Sequence, residues 1–348
     1  MSRRWAFVVA VGCATAGAGV AHYGRATALL TFGVATVALA GLAWIVSLST
    51  EQVGVRFGPA ATGVLQSTLG NLPEFFIVIF ALSQGQIIVA QTSLIGSVFA
   101  NALLVLGLTI LAGCRASPDG IMRFAPRLAK DNAILMMLAS FLIVLLGISI
   151  ATGDKASHHV KAISIVGAIA LLVTYVVWIV DYLRSDGPTS PSHGEPPISM
   201  ASSLALLTVA GLGAAFDSDW FVTALSPSMA RLGIPTAFAG LVIVAIAGNA
   251  AENTAGVVLA LKGQSDLAIS VVKNSVAQIT AFLFPALVLV SFLFATPLTF
   301  ALAPIYIGAL LLSGLALWQI TSDGEASGFE GVALIALYVI LAVAAFYE

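Results

Sequence analysis

The chain has 348 residues, 59% hydrophobic and 9% charged, with a mean hydropathy of +1.05. Soluble domains carry about a quarter charged residues, so most of this surface must face lipid. A net charge of −2, and two cysteines (Cys13 and Cys114) that form no CxxC pair, leave no case for a nucleic-acid partner, a disulfide framework or a cysteine metal site.

Crossing a bilayer as a helix takes about 20 apolar residues. The hydropathy pattern predicts an all-α membrane protein with eleven spans, roughly 5–22, 26–49, 60–84, 87–114, 132–152, 160–184, 199–216, 234–262, 267–294, 297–319 and 329–347. The first span follows Arg3-Arg4 and ends near Ala16-Gly17-Ala18, a pattern also compatible with a cleaved signal peptide, which would leave ten spans. Between spans six and seven, SDGPTSPSHGEPP from Ser185 to Pro197 reads as a linker. The chain therefore divides into an N-terminal span (1–24), a first five-helix repeat (25–184), a linker (185–198) and a second five-helix repeat (199–348). Five is odd, so the second group enters the membrane from the opposite side and the repeats are inverted.

Basic residues in the loops set the orientation. Arg3, Arg4, Arg56, Arg115, Arg123, Arg127, Lys130, Arg184 and Lys262 fall on one side; Arg25, Lys155, Lys161 and Arg231 fall on the other. The N-terminus is expected in the cytoplasm. A compact chain of this kind suits a bacterial plasma membrane.

Within spans three and eight stand two copies of G-N-x-x-E: Gly70-Asn71-Leu72-Pro73-Glu74 and, 178 positions later, Gly248-Asn249-Ala250-Ala251-Glu252. At the same shift Gly85-Gln86 meets Gly263-Gln264 and Ser97 meets Ser275. Each glutamate lies 10 residues before a polar span end, Gln84 or Lys262, hence about 15 Å deep, near the bilayer midplane. An intramembrane carboxylate costs on the order of 2.5–3.5 kcal/mol on insertion scales, so a matched pair marks a site more readily than structural glue. Asn71 and Glu74, like Asn249 and Glu252, are three apart and are expected on one helical face, with Ser67 continuing it in the first copy. Gly70 and Gly248 remove bulk where another backbone can approach, and Pro73 leaves the Leu69 carbonyl free as an oxygen ligand. The next span of each repeat adds polar groups: Ser93, Ser97 and Asn101 in the first, Asn274, Ser275 and Gln278 in the second. Carboxylate, amide, hydroxyl and carbonyl oxygens suit Ca²⁺ or another hard cation and do not suit zinc or copper.

These elements, GNLPEFFIVIFALSQGQIIVAQTSLIGSVFANALLVLG and GNAAENTAGVVLALKGQSDLAISVVKNSVAQ, resemble the calcium/proton exchanger family of the cation/calcium exchanger superfamily, from span two onward. The resemblance implies secondary active antiport of Ca²⁺ against H⁺, with Glu74 and Glu252 as the central acids that carry both metal and proton. It implies Asn71 and Asn249 as motif asparagines, and Ser97, Asn101, Ser275 and Gln278 as polar positions of the neighbouring helices. Glu51 and Asp219 also resemble family positions near an entry. Ca²⁺ is then cargo, and no permanently bound cofactor is implied. One departure is Lys273-Asn274, where the family usually has a glycine before the serine. Lys273 points about 160° from Ser275 and is expected to snorkel to the nearby interface.

An apolar setting favours the neutral acid and a bound cation favours the carboxylate, so two protons or one Ca²⁺ would satisfy the pair alike, and their competition would be the coupling. A Na⁺ or K⁺/H⁺ antiporter on the same architecture is the main rival. A passive cation channel would lack proton coupling. Enzyme motifs such as G-x-S-x-G or H-E-x-x-H do not occur, and His22, His158, His159 and His193 fall at loops or span ends.

Overall fold

The computed structural model describes residues 3–54, 69–125, 127–185 and 198–348. The helices are α1 (Arg3–Tyr23), α2 (Ala28–Gly54), α3 (Leu72–Ser83), α4 (Ile87–Ala116), α5 (Arg127–Thr152), α6 (Val160–Ser185), α7 (Met200–Leu232), α8 (Thr236–Gly248), α9 (Ala250–Leu261), α10 (Ser265–Ser291), α11 (Pro304–Thr321) and α12 (Gly328–Phe346). Among the described residues nine helices are long and apolar enough to cross a membrane, and the bent pair α8–α9 makes ten. The expected eleventh, 60–84, enters the described residues as α3; Ser67 and the linker at 186–197 lie outside them.

The molecule is apolar outside, and a small set of polar groups is buried within its apolar core. Along α5, Met137, Phe141, Leu145 and Ile148 are exposed while Leu142, Ile143 and Leu146 are buried; in contrast Asn71, Glu74, Ser97, Asn101, Asn249 and Glu252 are buried. That inversion is what a lipid solvent requires, since every polar group must find its partners inside.

Small residues bring the helices together, the usual route to tight packing where lipid offers no hydrophobic driving force. Helices α2 and α7 pack along each other in opposite directions, with Phe32 against Phe221 and Leu42 over Gly213. Helix α1 lies on them, Gly19 resting on the Trp220 ring. Helix α4 meets α8 backbone to backbone at Gly96, where a methyl group would stand 2.4 Å from the Leu241 carbonyl oxygen. It meets α12 in the same way at Gly107 and Gly331.

Three stretches are wound as π-helix: Ala100–Val105 in α4, Ala239–Val244 in α8 and Ile279–Leu283 in α10. The first and third coincide at the 178-residue shift. Two connections between spans pair as a short antiparallel sheet, β1 (Ile121–Arg123) with β2 (Glu325–Ser327), in the register Met122 to Ala326. Arg123 braces it, binding Asp119 at 2.7 Å and Glu325 at 3.1 Å. The Arg123 hydrogen bond holds the Asp119 carboxyl down at about 2, helped by Ile121 N–H and the Ser117 hydroxyl.

Candidate functional site

Span eight is not the single helix that its apolar run predicts. The chain breaks at Gly248-Asn249, and α9 departs from α8 at 60°. Asn249 has left the helical region (φ −106°, ψ 17°) and stands at the N-cap position of α9, which begins at Ala250, without a side-chain capping bond. Asn71 does the same for α3 (φ −89°, ψ 13°), with Pro73 in the first turn, where its missing N–H costs no hydrogen bond. The three-residue spacing therefore does not put amide and carboxylate on one face of a continuous helix. It puts an asparagine at each cap and a glutamate in the first turn of each half-helix.

That position has electrostatic consequences. The first turn of a helix presents unpaired N–H groups and the positive end of the helix dipole. Glu74 (1% exposed) and Glu252 (7% exposed) are thus buried, yet sit where backbone dipoles favour negative charge.

The two motifs meet. A methyl built on Gly248 would lie 3.7 Å from Cβ of Glu74, so the first carboxylate sits against the break that carries the second. Glu74 lies within the electrostatic reach of Glu252, and its polar neighbours are Ser97 and Asn249. Asn249 Nδ2 donates to Ser97 Oγ at 2.7 Å, a bond from the second half to the first, and also to the Ala245 carbonyl at 3.0 Å. Ser275 Oγ donates to Glu252 Oε2. Neither oxygen of Glu74 meets a donor at hydrogen-bonding distance among the described residues.

Of the remaining predicted residues, Gly70 is buried beside the first cap. Asn101 is buried in the π segment of α4, its Nδ2 donating to the Ser97 carbonyl at 3.0 Å and its Oδ1 meeting no donor among the described residues. Gln278 is buried immediately before the matching π segment of α10. Ser93 spends its hydroxyl on the Ala90 carbonyl and does not reach the acids. Glu51 is exposed, whereas Asp219 accepts from Gln84 Nε2 at 3.2 Å in a polar cluster that also holds Thr223, Gln86 and Ser226.

Lys273 corrects an expectation. It does not snorkel: it is 3% exposed, and its Nζ donates to Thr321 Oγ1 on α11 at 2.6 Å. The direction away from Ser275 is as the helical angle required, but the nearest shelter is a neighbouring helix end and not the interface. Sequence reasoning also passed over Asp217, fully buried in α7. Its signal was the D-S-D run inside an apolar span.

The profile of the sodium/calcium exchanger protein family matches residues 27–181 and 202–347, and the chain belongs to that family. It is 32% identical over 350 residues to a Ca²⁺/H⁺ antiporter of Synechocystis, covering 94% of this chain and 92% of that protein. It is 30% identical over 324 residues to the Ca²⁺/H⁺ antiporter ChaA of Bacillus subtilis, covering 90% and 91%. The solved structure of native YfkE superimposes with a TM-score of 0.84 at 27% identity, over 98% of this chain and 100% of that one. The H⁺/Ca²⁺ exchanger CAX, at 14% identity and a TM-score of 0.76, shares the fold over 99% of this chain and 92% of its own. The chain is a multi-pass membrane transporter and not an enzyme.

Proposed function

We infer that this chain is a secondary active antiporter that exchanges Ca²⁺ for H⁺ by competition at one buried site built from Glu74 and Glu252. The observation that carries the reading is the convergence of the two half-helix starts: Glu74 packs on Gly248, four residues before Glu252. The relatives named as Ca²⁺/H⁺ antiporters support the choice of ions.

Two carboxylates bind one Ca²⁺ with the charge balanced, or bind two protons and become neutral. Either load removes net charge from a low-dielectric centre; the empty, doubly ionised pair is the costly state, which prevents the site from crossing bare. Asn71, Asn249, Gly70 and Gly248 form the breaks that present the acids. Ser97 and Ser275 offer hydroxyl oxygens beside them, and Asn101 and Gln278 extend the polar lining. When protons occupy the acids, Ser275 Oγ can turn from donor to acceptor, since a hydroxyl does both.

The inverted repeats, 25–184 and 199–348, belong to the same reading. The coincident π segments, the antiparallel α2–α7 pair and the two stretches matched by the family profile support them. The bacterial relatives favour the plasma membrane, with the N-terminus in the cytoplasm on the count of basic loop residues.

The test is proton release from acid-loaded proteoliposomes on adding Ca²⁺, Na⁺ or K⁺ to the outside. Ca²⁺ alone should drive it. Release driven by Na⁺ or K⁺ at concentrations where Ca²⁺ fails would replace this reading with a monovalent antiporter. A steady Ca²⁺ current without proton movement would replace it with a channel.

A further inference from the structure

The helices leave a gap behind the half-helix that carries Glu252. Helices α1 and α2 run antiparallel, with the Phe7 ring edge-on to Trp44 at 4.5 Å and Val11 against Gly41, where an added methyl would stand 2.5 Å from Val11 Cγ2. Helix α2 also packs on α9. Between α1 and α9 lies a groove of about 390 Å³. Phe7, Ala10 and Ala14 line it from α1, and Val37, Ala40 and Trp44 from α2; Ala250 and Thr254 close it from α9.

The groove belongs to the hydrocarbon region. No charged residue occurs between Arg4 and His22 in α1 or between Ala28 and Thr50 in α2, and both helices are long and apolar enough to cross a membrane. The walls come from turns inside these uncharged stretches. Their rim is continuous with the outer apolar surface, Phe7 being 39% and Val37 66% exposed.

Water has no foothold there. Of the lining side chains only Trp44 and Thr254 carry a polar atom, and the Thr254 hydroxyl is spent on the Ala250 carbonyl at 2.8 Å. A trapped water needs about two to four polar partners. Left empty, the groove would cost its lining atoms their dispersion contacts. A lipid acyl chain meets every requirement: it is apolar, flexible and the solvent of this surface.

What fills the groove bears on the site. Ala250 follows the cap position Asn249 and Thr254 lies one turn on, so one face of the first turn of α9 borders the groove. Glu252 stands between them in sequence, about 200° round the helix, and accepts from Ser275 on the opposite side. The filling therefore backs the turn that aims Glu252 into the site.

We propose that this groove is a seat for one acyl chain of a bilayer phospholipid, and that the seated chain steadies the first turn of α9 and with it Glu252. The seat stands on the groove alone. Its effect on Ca²⁺ rests on the reading of Glu252 as part of the exchange site, and the experiment separates the two.

In proteoliposomes, a phosphatidylcholine with a photoactivatable diazirine in mid-chain should label Thr254 as well as Phe141, which is 65% exposed on α5. Filling the groove from α2 with Ala40→Phe, or from α1 with Ala14→Leu, should abolish the label at Thr254 and leave Phe141 labelled. Wild-type label at Phe141 without Thr254, as when a second copy of the chain covers the groove, overturns the seat even where neither variant folds. Label at Thr254 that survives in both folded variants overturns it too. In detergent, stripping phospholipid should weaken Ca²⁺ binding roughly tenfold, and adding phosphatidylcholine should restore it. Ala40→Phe, whose ring takes the place of the chain, should bind Ca²⁺ equally with and without lipid. Wild-type affinity indifferent to lipid denies the seated chain any part in the site. A fault in the exchange-site reading shows differently: Glu252→Gln still exchanges Ca²⁺ while the labelling pattern holds.

Discussion

Gly96→Ala perturbs the contact that sets the distance between the two halves of the site. The added methyl would stand 2.4 Å from the Leu241 carbonyl oxygen and 2.6 Å from its Cα, against an ordinary contact of 3.4 Å. Because the obstacle is backbone, no rotamer change relieves it, and α4 and α8 must part by about 1 Å (3.4 − 2.4). The 2.7 Å bond from Asn249 to Ser97, the residue after Gly96, would lengthen to about 3.7 Å and be lost. Overpacking of this kind costs about 1–3 kcal/mol, or roughly 5- to 150-fold in an equilibrium constant. Thermal unfolding in detergent should show a lower midpoint for Gly96→Ala, and Ca²⁺-driven proton release should weaken with it. Gly308→Ala is the control: nothing lies within 4 Å of the added methyl, and both readouts should match wild type. A Gly96→Ala protein with wild-type midpoint and exchange would refute the claim that this backbone contact positions the site.

Ser275→Ala removes the hydroxyl that donates to Glu252; a hydrogen bond to a charged group contributes about 1.5–3 kcal/mol, so Ca²⁺ affinity by titration in detergent should fall by roughly 10- to 150-fold. Unchanged affinity would place Ser275 outside the cation shell. Lys273→Met should keep Ca²⁺ selectivity and stoichiometry in flux assays, because Nζ is bound to Thr321 on α11 and not to the acids. Its melting temperature should hold or rise, since a desolvated ammonium with one neutral partner disappears, whereas Thr321→Val should lower it. A switch toward Na⁺ or K⁺ in Lys273→Met would contradict that assignment. Asp119, held at about 2, is depressed in the folded state, so its contribution to the β1–β2 link is present above its ordinary value of 3.8 and lost as pH falls toward 2. Melts of wild type and Asp119→Asn should therefore differ at neutral pH and converge across that window; a constant gap would deny the Arg123 pairing its role.

Much of this was legible in the sequence because burial of a charge in lipid is too costly to be accidental. Two glutamates at one register in apolar runs pointed to the site, and the doubled polar stripe pointed to Ser97 and Ser275. The break in span eight was not legible. Ala245 through Leu261 is rich in helix formers on both sides of it, and Gly248-Asn249 is no stronger a stop signal than Asn253 or Gly256 a turn or two later. The π segments were equally hidden, since an extra residue in a turn changes no composition. Lys273 misled because its rescue comes from Thr321, 48 residues away, and such pairing cannot be read from local spacing. The β1–β2 pairing joins loops that are still further apart in sequence. Asp217 stood in plain view, but that neither of its oxygens meets a donor among the described residues follows from packing and not from its neighbours in the chain.

The account stands or falls on both acids serving both ions. Protons released per Ca²⁺ taken up should be measured in proteoliposomes for wild type, Glu74→Gln and Glu252→Gln. Two protons per Ca²⁺ in wild type, with Ca²⁺ uptake and proton release abolished together in each variant, is the predicted result. Coupled exchange surviving in either variant would contradict a shared site.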